Sequence, residues 1–513
     1  PPEEAFGFST CPEVVREVLL ERGWKEYNER KCEKEDWNLY WRGSAFRNSE
    51  YYDLLPWQRL NHHPKTVGIT RKDCLARNLR RMRATFGSSL YDFSPTAFIL
   101  PNDYTRFLAE YNKLRQARGP SVYWICKPVD LSRGRGIFIF EDIKDLVYDC
   151  SVIVQRYISN PLLISGYKFD LRIYVCVKSF HPLTVYVHQE GLVRFATEKY
   201  NLSSLHNTYA HLTNTSINKF GPFYKTEKGR VGQGCKWTMS KFRHYLHSQD
   251  INQLLMWQRI SNIVTLTLLT IAPSVPSCPN CVELFGFDIL LDVKFKPWLL
   301  EVNYSPALTL DCQADITVKK GLISDLIDLM NYTLTDSLRE RAFYRQGSRQ
   351  PCFHASHMSH VTPVLSKVKE TKFHSGDQSS QTQTLPQLKT VCSVLDVRKL
   401  DSGPTESSNV VIPLEGTTAV NGHNIPPLRV GGFIRTFPFN TATLKASQQK
   451  LDVKLIIQEL HKLTGQLATS DQKLRREEEE EEVKRNKDGE EDFDSLLWGP
   501  KDPPLLSQCS KHT

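Results

Sequence analysis

Alternating apolar and polar positions predict a strand at residues 167–177, YKFDLRIYVCV. A period of two places Lys168, Asp170 and Arg172 on one face of this strand and apolar side chains on the other. Three charged side chains on one face are costly unless they line a wet cleft or bind a ligand. A salt-bridge ladder at the surface is an equally good explanation of this pattern taken alone.

Two further apolar runs predict a hairpin that carries carboxylates. The runs are VELFGFDILLD, residues 282–292, and KPWLLEVNYSPAL, residues 296–308. Glu301 and Asn303 share one face of the second strand, and the hairpin can place Asp288 opposite them. Oxygen ligands without a nearby His or Cys favour magnesium over zinc. Taken alone, Glu301 and Asn303 also fit a solvated strand end.

Residues 121–140, SVYWICKPVDLSRGRGIFIF, predict another hairpin with a glycine-rich tip. Gly134 and Gly136 would let backbone N–H groups approach a phosphate closely, and Lys127 and Arg135 would add positive charge. No helix is indicated after the glycines, so this is neither a Walker loop nor a Rossmann fingerprint. A hairpin tip without any ligand is the commoner meaning of such a segment by itself.

The apolar pattern separates a globular body, at about residues 37–332, from a polar remainder. Residues 262–275, NIVTLTLLTIAPSV, are too short and too rich in threonine to span a bilayer and predict a buried helix. Residues 351–444 have the composition of disorder. An amphipathic helix is predicted at residues 451–470, followed by a solvated acidic run with six glutamates at Glu477–Glu482.

Composition narrows the choice of partners. The 513 residues carry a formal net charge of +9 with a pI of about 8.8, which favours nucleic acid, an anionic membrane or an acidic protein segment. No basic stripe interleaved with aromatic residues is present, so we expect no nucleic-acid partner. The apolar runs are too short for membrane insertion. Charge alone cannot choose between an anionic membrane surface and an acidic protein segment.

Thirteen scattered cysteines, several inside apolar runs, indicate reduced intracellular thiols. The CPNC segment at Cys278–Cys281 could hold zinc or act in redox exchange, but no second pair lies at ligand spacing. We therefore interpret it as a loop between a helix and a strand. No secretory signal is visible, and the start at Pro1 without a methionine leaves open whether the sequence is a fragment.

Several of these motifs together resemble the tubulin tyrosine ligase-like family, which uses an ATP-grasp fold. They are, in order, WICKP, GRGI, VQRYI, YKFDLRIYV, HLTNTSINK, FGFDILLD and LLEVNYSPAL. The likeness runs from about Asn61 to Tyr332, and the ordered set is more specific than any single motif. It implies an α/β (α+β) fold of the ATP-grasp type with a long disordered C-terminal tail, and the polyglutamylase subtype.

The resemblance also implies a domain division. Residues 1–95 would form the N-terminal domain of the ligase core, residues 96–158 the central ATP-grasp domain, and residues 159–345 the C-terminal ATP-grasp domain with the metal site. Residues 346–513 would be a largely disordered tail with a short helix and the acidic run.

Roles for individual residues follow from the resemblance. The nucleotide would contact Lys127, Arg135, Gly136, Gln155, Arg156, Tyr157, Ile158, Lys168, Phe169, Asp170, Thr213 and Asn214. Magnesium would bind Asp288, Glu301 and Asn303. Arg172, Ser216 and Lys236 would hold the incoming amino acid, and Arg135 and Arg172 would act in catalysis. Thr215 departs from the pattern, because many members carry an aromatic residue there.

The implied activity is ATP- and magnesium-dependent addition of free L-glutamate to glutamate side chains of acidic tubulin tails, through an acylphosphate. No protein nucleophile is needed for this chemistry. We expect a cytoplasmic monomer on microtubules of the cytoskeleton, including those of a cilium, flagellum or basal body. A tubulin glycylase and a catalytically weak microtubule-binding protein of the same fold are the alternatives.

Two helices with many arginines are expected to face the acidic tails. They lie at residues 70–83, TRKDCLARNLRRMR, and residues 338–349, LRERAFYRQGSR. We predict that Arg80, Arg81 and Arg83 of the first helix contribute to this binding. A solvated helix face is an equally good explanation for either segment.

Overall fold

The computed structural model describes residues 11–27, 37–118, 122–221, 236–249, 251–331, 391–393, 425–448 and 450–482. The helices are α1 (Glu13–Glu21), α2 (Val67–Thr70), α3 (Lys72–Phe86), α4 (Tyr104–Arg118), α5 (Thr208–His211), α6 (Thr215–Asn218), α7 (Met239–His247), α8 (Leu254–Leu269), α9 (Gln313–Met330), α10 (Thr441–Gln448) and α11 (Val453–Glu482). The mixture of helices and sheets confirms the predicted α/β (α+β) class.

The strands form three sheets. They are β1 (Lys25–Glu26), β2 (Leu39–Tyr40), β3 (Arg59–Leu60), β4 (Ala97–Leu100), β5 (Trp124–Pro128), β6 (Phe138–Phe140), β7 (Val152–Arg156), β8 (Leu163–Ile164), β9 (Tyr167–Phe180), β10 (Leu183–His188), β11 (Leu192–Lys199), β12 (Lys236–Thr238), β13 (Glu283–Leu291), β14 (Pro297–Asn303), β15 (Val391–Ser393), β16 (Arg429–Val430) and β17 (Phe433–Phe437). One sheet has nine strands, and the orders of the four-stranded sheets are β1-β15-β2-β3 and β4-β7-β5-β6.

The nine-stranded sheet is built around the long strand β9. Arg172 of β9 lies opposite Leu192 of β11 on one edge and opposite Asp288 of β13 on the other. Strand β14 then pairs with β13, with Glu301 opposite Asp288. The predicted hairpin is therefore confirmed, and β9 joins it to the charged face that the alternating pattern indicated.

Each face of β9 contributes to a different layer of the core. Phe169, Leu171 and Ile173 pack in a cluster with residues of α3, α7 and α8, whereas Tyr174 and Cys176 pack against α1 and α9. Lys168, Asp170 and Arg172 share the face of Tyr174 but lie nearer the start of the strand, outside that apolar cluster. The charged residues of β9 therefore lie together at the N-terminal end of this face.

Helix α8 is the buried helix predicted from the apolar run. The helical stretch Leu254–Ser274 is the one segment in the described ranges with the length and apolar composition to cross a membrane. Of its apolar window 67% is buried inside the protein, and Ile260, Ile263 and Val264 belong to the main core cluster. The apolar character of α8 is thus explained by packing against β9 and its neighbours.

The four-stranded sheet β4-β7-β5-β6 forms a smaller layer with its own core. Strand β5 pairs with β6 through Cys126 and Phe138, which confirms the predicted hairpin with the glycine-rich tip. Trp124 and Phe107 pack edge to face with ring centroids 5.0 Å apart and anchor α4 on this sheet.

Part of the predicted tail is folded onto the core. Strand β17 pairs with β10, and Phe437 and Ile456 are buried in the main apolar cluster. The prediction of a largely disordered region after residue 346 therefore needs correction over residues 425–448. A short apolar run within polar sequence forms a strand here because the edge of β10 offers it backbone partners. Helix α11 confirms the helix predicted at residues 451–470 and continues through Glu477–Glu482.

Candidate active site

A deep cleft separates the β4-β7-β5-β6 sheet from the nine-stranded sheet, and it collects most of the predicted site residues. Its walls also include Lys72, Arg133, Arg194, His211 and Tyr304, which the sequence did not single out. The predicted residues that line it are Lys127, Gln155, Arg156, Tyr157, Ile158, Lys168, Asp170, Thr213, Asn214, Asp288, Glu301 and Asn303. Residues from widely separated segments of the chain thus meet in one place.

Asp288, Glu301 and Asn303 lie together at one wall of this cleft. Asn303 Nδ2 is 3.2 Å from Asp288 Oδ2 and 3.4 Å from Glu301 Oε1. Burial raises the pKa of Glu301, and the adjacent Asp288 carboxylate raises it further. A divalent cation would relieve this repulsion, and two carboxylates with a carboxamide are the donors that magnesium accepts. The described residues hold no group of three His, Cys, Asp or Glu side chains with ligand geometry, so the carboxamide is needed to complete the set.

Two arginines, Arg172 and Arg194, orient the carboxylates of Asp288 and Asp170. Arg172 donates to Asp288 through Nε at 2.6 Å and Nη2 at 3.1 Å, and Arg194 Nη2 lies 2.8 Å from Asp288 Oδ2. Arg194 also donates to Asp170 at 2.8 Å and 2.5 Å. Burial favours protonation of Asp288, but Arg172 and Arg194 outweigh it and lower the pKa of this carboxyl. Arg194 was missed, although a lone charge inside the apolar strand segment LVRFA is a signal that could have found it.

The buried Lys168 and the partly buried Lys127 line the same cleft. Lys127 Nζ donates to Gln155 Oε1 at 2.8 Å, and Lys168 Nζ donates to the Tyr157 hydroxyl at 2.9 Å. Burial lowers the pKa of Lys127 to about 8 and that of Lys168 to about 7. Within the described ranges no carboxylate lies at ion-pair distance from either lysine, so both ammonium groups are undercompensated there. An anionic ligand such as a polyphosphate would stabilise their charged forms.

Tyr157 connects the end of β7 to the short helix α5. Its backbone N–H donates to Tyr123 O at 2.9 Å, and its hydroxyl lies 2.9 Å from His211 Nδ1. Lys168 Nζ also lies 4.4 Å from the centre of the Tyr157 ring. Tyr157 therefore positions Lys168. His211 was missed as a site residue, although it opens the quoted segment HLTNTSINK.

The glycine-rich tip lies on α6. A Cβ on Gly134, whose φ is +77°, would lie 2.2 Å from Ile217 Cδ1, so only glycine allows this close approach. Ser216 Oγ donates to Arg133 O at 3.0 Å and holds the tip from the other side. Ser216 is thus engaged in positioning the tip and does not line the cleft.

Three other predicted nucleotide contacts do not line the cleft. Arg135 is exposed, and Gly136 lies against Pro128 and Leu131. The Phe169 side chain points into the core, with its ring centroid 5.7 Å from that of Phe195. The period of the strand places Phe169 on the face opposite Lys168 and Asp170, which is the physical reason for its absence from the cleft.

The predicted amino-acid contacts are divided. Lys236 of β12 lies opposite Arg194 of β11, which itself lies opposite Asp170 of β9. This register puts Lys236 in the same cross-strand row as the charged residues of the cleft. Lys236 Nζ is 2.7 Å from Asp315 Oδ2, and Lys319 Nζ is 2.7 Å from the other oxygen of that carboxylate. Arg172 pairs with Asp288, Lys236 pairs with Asp315, and Ser216 contacts the glycine-rich tip. None of the three is among the residues that line the cleft.

The arginines of α3 are engaged within the protein. Arg80 pairs with Asp103 at 2.7 Å, Arg81 donates to Thr270 O at 2.7 Å, and Arg83 donates to Tyr91 O at 2.7 Å. Their guanidinium groups therefore anchor α3 to its neighbours, while Arg81 remains exposed and Arg80 and Arg83 partly exposed. That these arginines present a cationic face to acidic tails stays a prediction. The second arginine-rich segment, residues 338–349, lies outside the described residues.

Comparison with known proteins supports one family. A model of the tubulin-tyrosine ligase family matches residues 47–340. The chain is 48% identical over 500 residues to the human "Probable tubulin polyglutamylase TTLL2", covering 88% of this chain and 83% of that protein. It is 47% identical over 489 residues to the mouse protein of the same name, covering 88% and 90%. It is 33% identical to the mouse "Tubulin polyglutamylase TTLL5" over 84% of this chain and 31% of that protein.

Proposed function

Because the chain belongs to the tubulin-tyrosine ligase family, we propose that it is an ATP-dependent ligase that joins free glutamate to glutamate side chains in acidic tubulin tails. One observation carries the proposal beyond the family: Asp288 and Glu301 line the same cleft as Lys127 and Lys168. Oxygen ligands for a metal and undercompensated cations for phosphates are the two requirements of a nucleotide-dependent ligase. The names of the similar proteins supply the choice of tubulin and of glutamate.

The reaction would proceed in two displacements. A carboxylate of the acceptor protein attacks the γ-phosphorus of ATP, ADP leaves, and an acylphosphate forms. The amine of the free amino acid then attacks the acyl carbon, phosphate leaves, and the amine loses a proton as the isopeptide bond forms. Each step gathers negative charge in a buried space, so catalysis would rest on positioning and electrostatic stabilisation.

Named groups of this chain can meet those demands. Lys127 and Lys168 would hold the phosphates, and Tyr157 would orient Lys168 through its hydroxyl. Residues 155–158 would border the adenine. Asp288, Glu301 and Asn303 would hold magnesium, which when bound supplies charge neutralisation and Lewis acidity at the phosphates. Arg172 and Lys236 would attract the carboxylates of the incoming amino acid.

The retained buried charges favour an enzyme over a binding protein with the same fold. Burying Lys127, Lys168 and Glu301 opposes their charged forms, as their pKa directions indicate. A protein that only binds microtubules has no physical need for them.

We also propose that the protein acts as a monomer on microtubules of the cytoskeleton, including those of a cilium, flagellum or basal body.

The test is incorporation of radiolabelled glutamate, glycine or tyrosine, each separately, into microtubules by the full chain with Mg-ATP. Glu301→Gln removes one charge from the proposed metal site with little change of shape, and Glu110→Gln on the outer helix α4 is the matched control. Glutamate incorporation by the wild type and Glu110→Gln, lost in Glu301→Gln, supports the proposal. Glycine incorporation alone would make it a glycylase. No incorporation by a chain that still binds ATP would make it a binding protein.

A further inference from the structure

The CPNC segment forms a tight turn between α8 and β13. The Cys281 N–H donates to Cys278 O at 3.1 Å, and Pro279 occupies the second position, where proline favours a β-turn. The ends of a β-turn lie within about 7 Å of each other between Cα atoms, and disulfides bridge Cα atoms about 4.4–6.8 Å apart. The backbone therefore already holds the two cysteines at a distance suited to a disulfide.

Hydrogen bonds to the neighbouring segment keep the turn in this shape. Asn280 Nδ2 donates to Leu55 O at 2.9 Å and to Gln58 O at 2.7 Å. Leu60 N–H donates to Asn280 O at 2.9 Å, and Val282 N–H donates to Leu60 O at 3.0 Å. These bonds hold the residues on either side of Cys281, and the Cys281 N–H bond to Cys278 O holds the turn closed.

The two thiols have different surroundings. Cys281 is buried, whereas Cys278 is partly exposed and can meet a small solute. The Cys281 thiol donates a hydrogen bond to the Cys278 sulfur, which lowers the pKa of Cys278 to about 7. The same hydrogen bond and burial raise the pKa of Cys281. This asymmetry is the one expected of an attacking thiol and a resolving thiol.

A zinc site is a poorer explanation of the pair. In the parts of the chain that the structure describes, no group of three His, Cys, Asp or Glu side chains is arranged to hold a metal. The nearest acidic candidate along the chain, Glu283, accepts hydrogen bonds from the His63 N–H at 3.1 Å and Thr66 Oγ1 at 3.1 Å, and His62 Nδ1 lies 3.2 Å from it. Glu283 is thus committed to the segment that precedes α2.

We propose that Cys278 and Cys281 are a redox-active dithiol that hydrogen peroxide converts to an intramolecular disulfide. The Cys278 thiolate attacks one peroxide oxygen, the O–O bond breaks, and hydroxide leaves as Cys278 becomes a sulfenic acid. The Cys281 sulfur then attacks the Cys278 sulfur, and its proton leaves with the hydroxyl group as water. The two thiols lose two electrons, and peroxide is reduced to water.

Formation of the disulfide should change the free energy of unfolding only slightly. The bridge closes only a very short loop, so it removes little conformational entropy from the unfolded chain. It would, however, join the start of β13, the strand that carries Asp288, to the turn covalently. The informative measurement is therefore the state of the two sulfurs.

The experiment treats the reduced full chain with graded hydrogen peroxide, blocks the remaining thiols with a light alkylating agent, and labels reduced disulfides with a heavy one. We expect peptide mass spectrometry to show heavy label on Cys278 and Cys281 together, reversible by dithiothreitol. Exposed Cys150 should react roughly tenfold more slowly than Cys278 at neutral pH, because much less of it is thiolate.

Two variants assign the roles. Cys281→Ser should stop at a sulfenic acid on Cys278 that dimedone traps, and Cys278→Ser should leave Cys281 reduced. Cys150→Ser is the matched control and should leave the bridge unchanged. Two results with the wild-type chain would overturn the proposal. In the first, the light agent still labels Cys278 and Cys281 after Cys150 has been oxidised. In the second, Cys278 or Cys281 forms a disulfide with a different cysteine. The wild-type result stands even where a variant fails to fold.

Discussion

Arg194 Nη2 lies 2.8 Å from Asp288 Oδ2, and the same guanidinium is bound to Asp170 through two hydrogen bonds. One arginine on β11 thereby holds the acidic residues of two other strands, β9 and β13. All three side chains are buried. The proposed metal ligand Asp288 is kept ionised and oriented by this contact, so the geometry of the site depends on a residue outside the proposed ligand set.

Arg194→Ala should destabilise the protein strongly. It leaves two buried carboxylates with fewer partners, for which a cost of about 3–5 kcal/mol is expected. Arg194→Lys keeps the charge but loses the two-pronged contact, so it should recover only part of the loss. Urea unfolding measures both variants against Arg106→Ala, whose exposed side chain should change stability by less than about 0.5 kcal/mol. Equal stability of Arg194→Ala and Arg106→Ala would contradict the structural role.

Binding of ATP should take up protons at pH 8. Burial lowers the pKa of Lys168 to about 7 and that of Lys127 to about 8, so both are partly neutral there. Bound phosphates favour the charged forms, so ATP affinity should fall as the pH rises above 7. Calorimetry in two buffers of different ionisation enthalpy measures the uptake, which Lys168→Met should reduce. Identical heats in the two buffers would refute the prediction.

The same lysines make a prediction about the unliganded protein. Their pKa values are lower in the folded state than in the unfolded chain, so the unfolded chain binds more protons between about pH 7 and pH 10. Their contribution to the free energy of unfolding therefore rises with pH through this window. Lys168→Met should flatten that rise in urea unfolding measured at several pH values, and an unchanged slope would show that Lys168 stays charged throughout.

Gly134→Ala should weaken ATP binding, and Gly87→Ala should not. Both glycines have positive φ, +77° and +102°, so both substitutions carry a backbone cost of about 1–3 kcal/mol. Only at Gly134 would the new Cβ strike another residue, Ile217, and displace the hairpin tip. Fluorescent-nucleotide titration should show roughly 10- to 100-fold weaker binding for Gly134→Ala. Equal affinities would mean that the tip makes no contact with the nucleotide.

Residues 425–469 should be required for stability. Phe437→Ala empties a fully buried position in the main core and should cost about 3–5 kcal/mol, whereas the partly buried Phe439 should cost less. Removing residues 483–513 is the matched truncation and leaves every described element intact. Thermal unfolding should show a lower midpoint for Phe437→Ala than for the wild type, and an unchanged midpoint for the chain that lacks residues 483–513. A chain ending at residue 424 that unfolds at the wild-type temperature would restore the tail prediction for this segment.

Arg83→Glu should lower the free energy of unfolding, and any loss of binding to an acidic partner should follow from that loss of stability. Arg83 Nη2 donates to Tyr91 O at 2.7 Å and to Ser94 O at 3.0 Å, and loss of such charge-assisted bonds costs about 1.5–3 kcal/mol each. Arg106→Glu, at an exposed position, is the control. Urea unfolding and binding to polyglutamate at low salt are measured on each variant. If the Arg83→Glu variant binds polyglutamate more weakly at unchanged stability, Arg83 contributes directly to docking.

Local periodicity was sufficient to predict both functional hairpins, the charged face of β9 and helix α8. These features depend on side-chain direction along one strand or helix, which repeats with a known period. The resemblance supplied the site residues, and most of them line one cleft. Phe169 is an exception that the period itself explains, since it alternates with Lys168 and Asp170 and belongs to the core.

Other features depend on which segments meet in space. Nothing local to the 70–83 segment shows that Arg80, Arg81 and Arg83 find acceptors at Asp103, Thr270 and Tyr91. Likewise, β17 is a strand only because the edge of β10 is free to pair with it. Contacts between residues far apart in sequence cannot be derived from the composition of either partner.

The amino-acid sequence was enough to predict the element types and the donor groups of the site, because these follow from residue chemistry and local repeat, and its ordered motifs were enough to indicate the family. The folded chain decided that Arg194 links Asp170 to Asp288, and that burial of Lys168 and partial burial of Lys127 lower the pKa values of these lysines. It also decided that the cysteines of the CPNC turn are held in a fixed shape. The physical reason is that burial and long-range contact set the charge state and orientation of a side chain, and both arise only when the chain is folded.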